Sequence, residues 1–425
     1  MRTYPGIVPA VVAAFILSTS VLHSANWPAW RGQNGNGVCA ESNLPVEWGP
    51  TKNVSWKLPL PGPAGATPVV WDKRIFLTST DGSDLILLCI STEGKELWRR
   101  TVSSGNRNVR GDEGNSAAPS PVTDGSYVWA TMANGEIGCY DMAGKEIWKA
   151  SMSRRYGPFI IAFGMVSTPV LDGDRLYFQF IHGNMRKPAG DEAVVVAVDK
   201  KTGKEIWKQV RKSDGFFENK HSYTSPVLYN DGKQKFLITH GADYAIAHSL
   251  DDGRELWRLT GLNPQNDPNR RYHKTLRFVA SPAPSPGLIV VPTAKNGPVF
   301  GVNSAGKQLW VRKQNTPDVP SPIIHDGLVY LCRENGMLIC LDGKSGKQIY
   351  MQRTHNQRHR ASPVYGDGKI YLSARDGKVS VIRAGRKFQI LGQNEFGEGL
   401  ASSPSISNGT IYFRAFKHLW AIHKK

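Results

Sequence analysis

Residues 199–207 read Asp199-Lys-Lys-Thr-Gly203-Lys-Glu-Ile-Trp207: a turn made by Asp and Gly, then a short run that ends on tryptophan. The Gly-Lys-x-hydrophobic-Trp ending recurs at Trp98, Trp148, Trp257 and Trp310, with aromatic substitutes at Tyr350 and Phe388. Upstream of each ending stand a Ser/Thr-Pro start, an Asp-Gly-type turn, a β-rich run with Tyr, a second turn and another β-rich run. The starts recur at Pro68, Pro121, Pro169, Pro226, Pro282, Pro322, Pro363 and Pro404, which makes eight copies with only seven endings. A fixed period of this size marks an array of like units, so the length of 425 residues does not signal three separate domains.

The missing ending lies at the other end of the chain. The eighth copy stops after Leu419-Trp420-Ala421-Ile422, while Val54-Ser55-Trp56-Lys57 carries a docking tryptophan with no strands before it. The two ends therefore complete each other. Four short strands per unit, eight units and a split unit at the join describe an all-β, eight-bladed propeller of four-stranded antiparallel blades, a ring that hides its sheet edges. The domains expected are an export signal over residues 1–25, a leader over 26–52 and the propeller over 53–425. The 43 glycines then become turn residues, as in Asp81-Gly82, Asn134-Gly135 and Asn335-Gly336.

The Gly-x-x-x-Trp endings resemble the tryptophan-docking repeats of the pyrroloquinoline-quinone (PQQ)-like propeller family over residues 53–425. That resemblance implies the docking role for Trp56, Trp98, Trp148, Trp207, Trp257, Trp310, Tyr350 and Phe388. The same repeat serves quinoprotein dehydrogenases and non-enzymatic scaffolds similar to the outer-membrane assembly factor BamB, so it fixes the fold and leaves the activity open. The leader Trp27-Pro-Ala-Trp30-Arg31-Gly32, with Gly35 and Gly37, is similar to that of secreted PQQ-like repeat proteins of the planctomycete kind, and no established activity comes with it.

Arg2, the apolar stretch Ile7 to Leu17 and the small residues Ser18, Ser20, Ser24 and Ala25 read as an export signal cleaved after Ser20 or Ala25. The stretch is too short to span a bilayer, and the first cysteine, Cys39, is too distant to accept a lipid. The expected mature protein is a periplasmic or extracellular monomer with no transmembrane segment. Its cysteines number five, an odd count. Cys89, Cys139 and Cys340 align with Ala197, Ala247, Gly301 and Ala421 in a third-strand position that takes a small side chain. A two-residue turn at Asn335-Gly336 would pair Cys332 with Ile339 and put Cys332 and Cys340 on opposite faces, against a disulfide.

No catalytic or metal motif stands on its own. Gly343-Lys-Ser-Gly346-Lys sits in a strand-to-strand turn and does not open a helix, and His355 and His359 lack a third ligand and a helical setting. Under the quinoprotein alternative the protein is a PQQ-dependent oxidoreductase holding PQQ and calcium. Enzymes of that kind use an adjacent cysteine pair and an acidic calcium cage. This chain has no adjacent cysteines, and its acidic funnel residues are Asp112, Glu113, Asp318, Glu395 and Glu398. No cofactor is expected outside that alternative.

Charge gives the remaining signal. The connections from each blade-ending aromatic to the next blade start carry +14 of the net +18. In a propeller they share one face with the second-to-third-strand turns. Positions three and five before the blade-start proline place His221, Tyr223, Arg277, Arg358 and Arg360 near the channel mouth, with Arg154, Arg155, Arg270 and Arg271 on the rim. Arginine forks suit carboxylate, phosphate or sulfate. The expectation is a non-catalytic binding or scaffold propeller of the bacterial cell envelope whose partner is an anionic small molecule or an acidic protein segment. An anionic polysaccharide is the further alternative. Nucleic acid is disfavoured by export and by the lack of stacking motifs.

Overall fold

The computed structural model describes Met1 and residues 26–424 apart from 51, 110–113, 189, 264–273 and 295; the expected export signal therefore lies outside the described residues. Eight four-stranded antiparallel sheets form the ring. In the first blade the strands run outward as Val69–Trp71, Arg74–Asp81, Asp84–Ser91 and Glu96–Ser104. The two middle strands are buried almost throughout because neighbouring blades cover both faces, whereas the outermost strand meets water.

The ring closes as the sequence expects. Val54–Pro59 is the outermost strand of the eighth blade and pairs with His418–His423, with Trp56 opposite Ala421. Blade after blade, the docking aromatic stands opposite the small third-strand residue: Trp98 on Cys89, Trp148 on Cys139, Trp207 on Ala197, Trp257 on Ala247, Trp310 on Gly301 and Tyr350 on Cys340. A larger side chain there would strike the indole; a Cβ on Gly301 would lie 2.1 Å from Trp310.

Each indole is spent on the next blade. Trp56 donates its N–H to Thr92 O, Trp98 to Met142 O, Trp148 to Lys200 O, Trp207 to Leu250 O, Trp257 to Ser304 O and Trp310 to Gly343 O, at 2.7 to 3.2 Å. The receiving turn offers its glycine to the ring face. Gly94, Gly144, Gly203, Gly253, Gly306 and Gly346 all have positive φ and leave under 3 Å between an added Cβ and the arriving indole. Glycine is required there twice over, by backbone conformation and by space.

Phe388 does not stand in the docking position. The register of the seventh blade puts Gly392 opposite Val381, where other blades have the aromatic, and Phe388 lies four residues earlier, where they have the receiving glycine. The two residue types are exchanged. Tyr350 meets Phe388 edge to face with ring centres 5.6 Å apart, and the space over Gly392 is taken by Val46 of the leader.

The leader supplies what the last seams lack. Trp27 pairs with Val70 of the first blade, Pro28 O accepts from Thr123 N of the second, and Arg31 donates to Ser321 O and Pro322 O at the sixth. Gly37 and Cys39 pair with Tyr365 of the seventh. The segment thus crosses one mouth of the axial channel. It then fills the seam between blades seven and eight, where Trp48 packs on Phe396 and Phe413 and bonds Asn394 through its backbone N–H.

All five cysteines are buried and unpaired. The register between Cys332 and Cys340 differs from the expected one. The turn is longer by one residue, with Arg333 N bonded to Met337 O, so Cys332 stands opposite Leu338 and Cys340 opposite Tyr330. The sulfurs therefore share a face as diagonal neighbours, too far apart for a bond of normal geometry.

Removing residues 26–57 leaves the eighth blade without its outer strand and is expected to abolish soluble expression. Trp207→Ala is expected to cost ~3 kcal/mol or more in a denaturant titration, since a nearly buried aromatic and its hydrogen bond are both lost.

Candidate functional site

The axial channel is built around the residue that precedes each blade-start proline. These are Thr67, Ser120, Thr168, Ser225, Ser281, Ser321, Ser362 and Ser403, all buried. Each backbone N–H from Thr67 to Ser362 donates to the hydroxyl of the next blade, at 2.9 to 3.1 Å. At the join between the eighth and first blades, Arg414 adds a buried clamp to Thr78 O, Gly62 O and Ser79 Oγ. Burial draws its guanidinium down to about 9.

Above this girdle opens a funnel of about 250 Å3. Every residue three before a blade-start proline lines it: Gly65, Ala118, Val166, Tyr223, Val279, Val319, Arg360 and Ala401. The lining is lopsided. Blades eight, one and two contribute Ala, Gly and Ala, while Tyr223, Phe163, Arg277 and Arg360 stand around the other part. Arg277 lies over the Phe163 ring at 5.1 Å and reaches Glu218 at 3.1 Å. Arg360 reaches Glu334 at 3.2 Å. Trp30 of the leader lines the same cavity.

Of the residues expected here, the structure brings Tyr223, Arg277 and Arg360 together and sends the others elsewhere. His221 is buried behind the wall, with Ala162 N donating to its Nδ1 and its Nε2 against Gly183 O, because the 3-10 turn Phe217–Lys220 directs it away from the axis. Arg358 lies in an outer groove of about 470 Å3 beside Asp318 and pairs with Glu334 at 3.0 Å. Arg154 and Arg155 belong to the short helix Met152–Tyr156; Arg155 donates to Gly203 O, and Arg154 stands in solvent, 3.9 Å from Glu136. Arg270, Arg271, Asp112 and Glu113 lie outside the described residues.

The other acidic residues are also committed outside the funnel. Glu395 pairs with Lys378, and Glu398 accepts from His418, Trp420 and Lys417 N. Sequence reading missed Phe163, Glu218, Glu334 and the hydroxyl girdle. The girdle was visible as the Ser or Thr before every repeat proline; the partners of the arginines had no such mark.

A family model described as outer membrane protein assembly factor BamB matches residues 82–209 and 190–425. The chain belongs to this family. No curated protein matches the sequence. Among solved structures, BamB from Moraxella catarrhalis is similar at 13% identity and a TM-score of 0.63, covering 86% of this chain and 98% of that one. Quinohemoprotein alcohol dehydrogenase from Comamonas testosteroni is similar at 13% identity and 0.68, covering 94% and 81%. A second enzyme of that type, from Pseudomonas putida, is similar at 12% and 0.65, covering 93% and 80%. At these identities the likeness is one of fold.

A calcium-bound quinone would need oxygen ligands from the funnel wall. Calcium takes six to eight oxygen ligands, carboxylates above all. The described funnel lining carries no carboxylate, and its girdle hydroxyls are engaged by backbone N–H groups. Among the described residues, no three His, Cys, Asp or Glu stand close enough to hold a metal ion. His355 instead bonds Asp376, and His359 is buried against Gln357 O.

Burial keeps four histidines of this BamB-like ring neutral. It draws His182, His248 and His359 down to about 4 and His240 to about 3. The unfolded chain takes up these protons near pH 6.5 and the folded chain only near 4. Stability from neutral histidine is therefore whole above about 6.5 and is lost as the pH falls toward 4. The denaturation midpoint is expected to drop between pH 7.5 and 5, by up to ~1–2 kcal/mol per histidine, and a His240→Phe variant should show a shallower fall.

Proposed function

We propose that this BamB-like propeller is an exported, monomeric, non-catalytic binding scaffold of the bacterial cell envelope that receives an acidic protein segment, or a smaller anionic ligand, in the funnel on its loop face. The observation that carries this reading is the pair Arg277 and Arg360, whose side chains line a cavity with no described carboxylate in its wall. Glu218 meets Arg277 at 3.1 Å, and a guanidinium presents five N–H donors in a fork. Phe163 and Tyr223 beside the arginines, with ring centres 5.6 Å apart, supply an apolar wall for the stem of an Asp or Glu side chain. Family membership and the expected export signal support the envelope setting, and among the described residues no helix is long and apolar enough to cross a membrane.

An acidic decapeptide is the probe. Binding measured calorimetrically is expected to weaken about tenfold in Arg277→Gln and again in Arg360→Gln, and to vanish by about 0.5 M salt, where the screening length falls to a few ångströms. Equal affinity in wild type and the double variant overturns the reading. No cofactor enters it, so adding PQQ and calcium is expected to change neither the melting temperature nor the quinone absorbance.

A further inference from the structure

The leader motif Trp27-Pro-Ala-Trp30-Arg31-Gly32-Gln33-Asn34-Gly35-Asn36-Gly37 divides into two sets of residues. One set builds the segment. Trp27 packs so closely on Gly32 that an added Cβ would sit 3.1 Å from its ring, and Gly37 leaves only 2.8 Å to the Arg31 guanidinium. Arg31 is buried on Asn36 O, Ser321 O and Pro322 O. Asn36 Oδ1 accepts from Val38 N. Trp27, Arg31, Gly32, Asn36 and Gly37 are thus explained by the fold.

The other set is not. Trp30, Gln33 and Asn34 form no hydrogen bond within the described structure, and the two amide side chains are exposed. All three face a second cavity, of about 560 Å3, at the end of the channel opposite the funnel. Its far wall is the innermost strands of blades two to five. Trp30 lines both cavities, as do Thr168 and Ser225 of the girdle.

We propose that this lower cavity binds a neutral oligosaccharide, with the Trp30 indole as the stacking surface and the Gln33 and Asn34 amides reading ring hydroxyls. Three features favour that class. The volume lies within the range of small-molecule sites. Among the described residues of its lining the charged ones, Asp172 and Lys235, are paired with each other, so this lining offers no net charge to an ion. An apolar ring beside side chains that both donate and accept suits a ligand whose faces carry C–H groups and whose edges carry hydroxyls. The funnel above, with its arginines, selects for the opposite property, so the two cavities sort ligands by charge.

The test uses the full chain and a panel of cellotriose, maltotriose, xylotriose and chitotriose, followed by calorimetry and tryptophan fluorescence at 50 mM and 0.5 M salt. At least one member is expected to bind with an affinity unchanged by salt, at least tenfold weaker in a Gln33→Ala/Asn34→Ala variant and in Trp30→Ala, and unaltered in Arg277→Gln. The amide variant changes only exposed groups, so it reports on binding even if Trp30→Ala misfolds. Absence of binding by every member at several millimolar, or binding that survives the amide variant, overturns the proposal. Neither outcome bears on the acidic peptide, which is measured in the other cavity.

Discussion

An indole that leaves its own blade to lie on a neighbour's glycine holds this ring together. The arrangement places an aromatic face, a hydrogen bond and a left-handed backbone turn at one point, and none of the three works alone. The turn exposes a carbonyl that needs a donor, the indole supplies it, and only a residue without Cβ lets the ring come close enough. Because each blade gives to the next and receives from the one before, the interaction has a direction around the ring. It also explains the small third-strand residue, since Cys89, Ala197 and Gly301 each leave room for the indole that crosses above.

The directionality shows why the leader is needed where it is. After Trp310 the donated groups become Tyr350 and then Gly392, which has nothing to give. Leader residues Leu44, Val46 and Trp48 occupy the seams that follow, and Asn394 holds the leader by both its amide oxygen and its amide nitrogen. A ring of identical contacts is thus completed by a different device at its weakest stretch.

Fold and blade number were legible because the docking contact writes itself into sequence at a constant spacing. Phe388 was misplaced for the same reason. The spacing of four persists in the seventh blade while the two residue types trade places, and a reading anchored on the aromatic lands on the wrong partner. At the site, the positions three before each proline were legible because the repeat sets every one of them at the same place around the axis. Position five was legible only in part: Arg277 reaches the funnel, whereas a local turn diverts His221 and Arg358 lies in an outer groove. The charge arithmetic counted the arginines of the connections without their partners: Glu334, which meets both Arg358 and Arg360, sits in a second-to-third-strand turn outside the connections that were counted. Acidic partners brought in from another loop leave no local trace in sequence.

The strand that completes the last blade stands near the beginning of the chain, so Trp56 meets Ala421 across nearly the whole length of the protein. During synthesis this strand emerges well before its partner and stays unpaired until His418–His423 arrives. The other seven blades pair locally from consecutive strands, so only the eighth waits for an outer strand made long before it. Closure is thus the step with the greatest loop entropy, which makes it the slow final commitment of the ring.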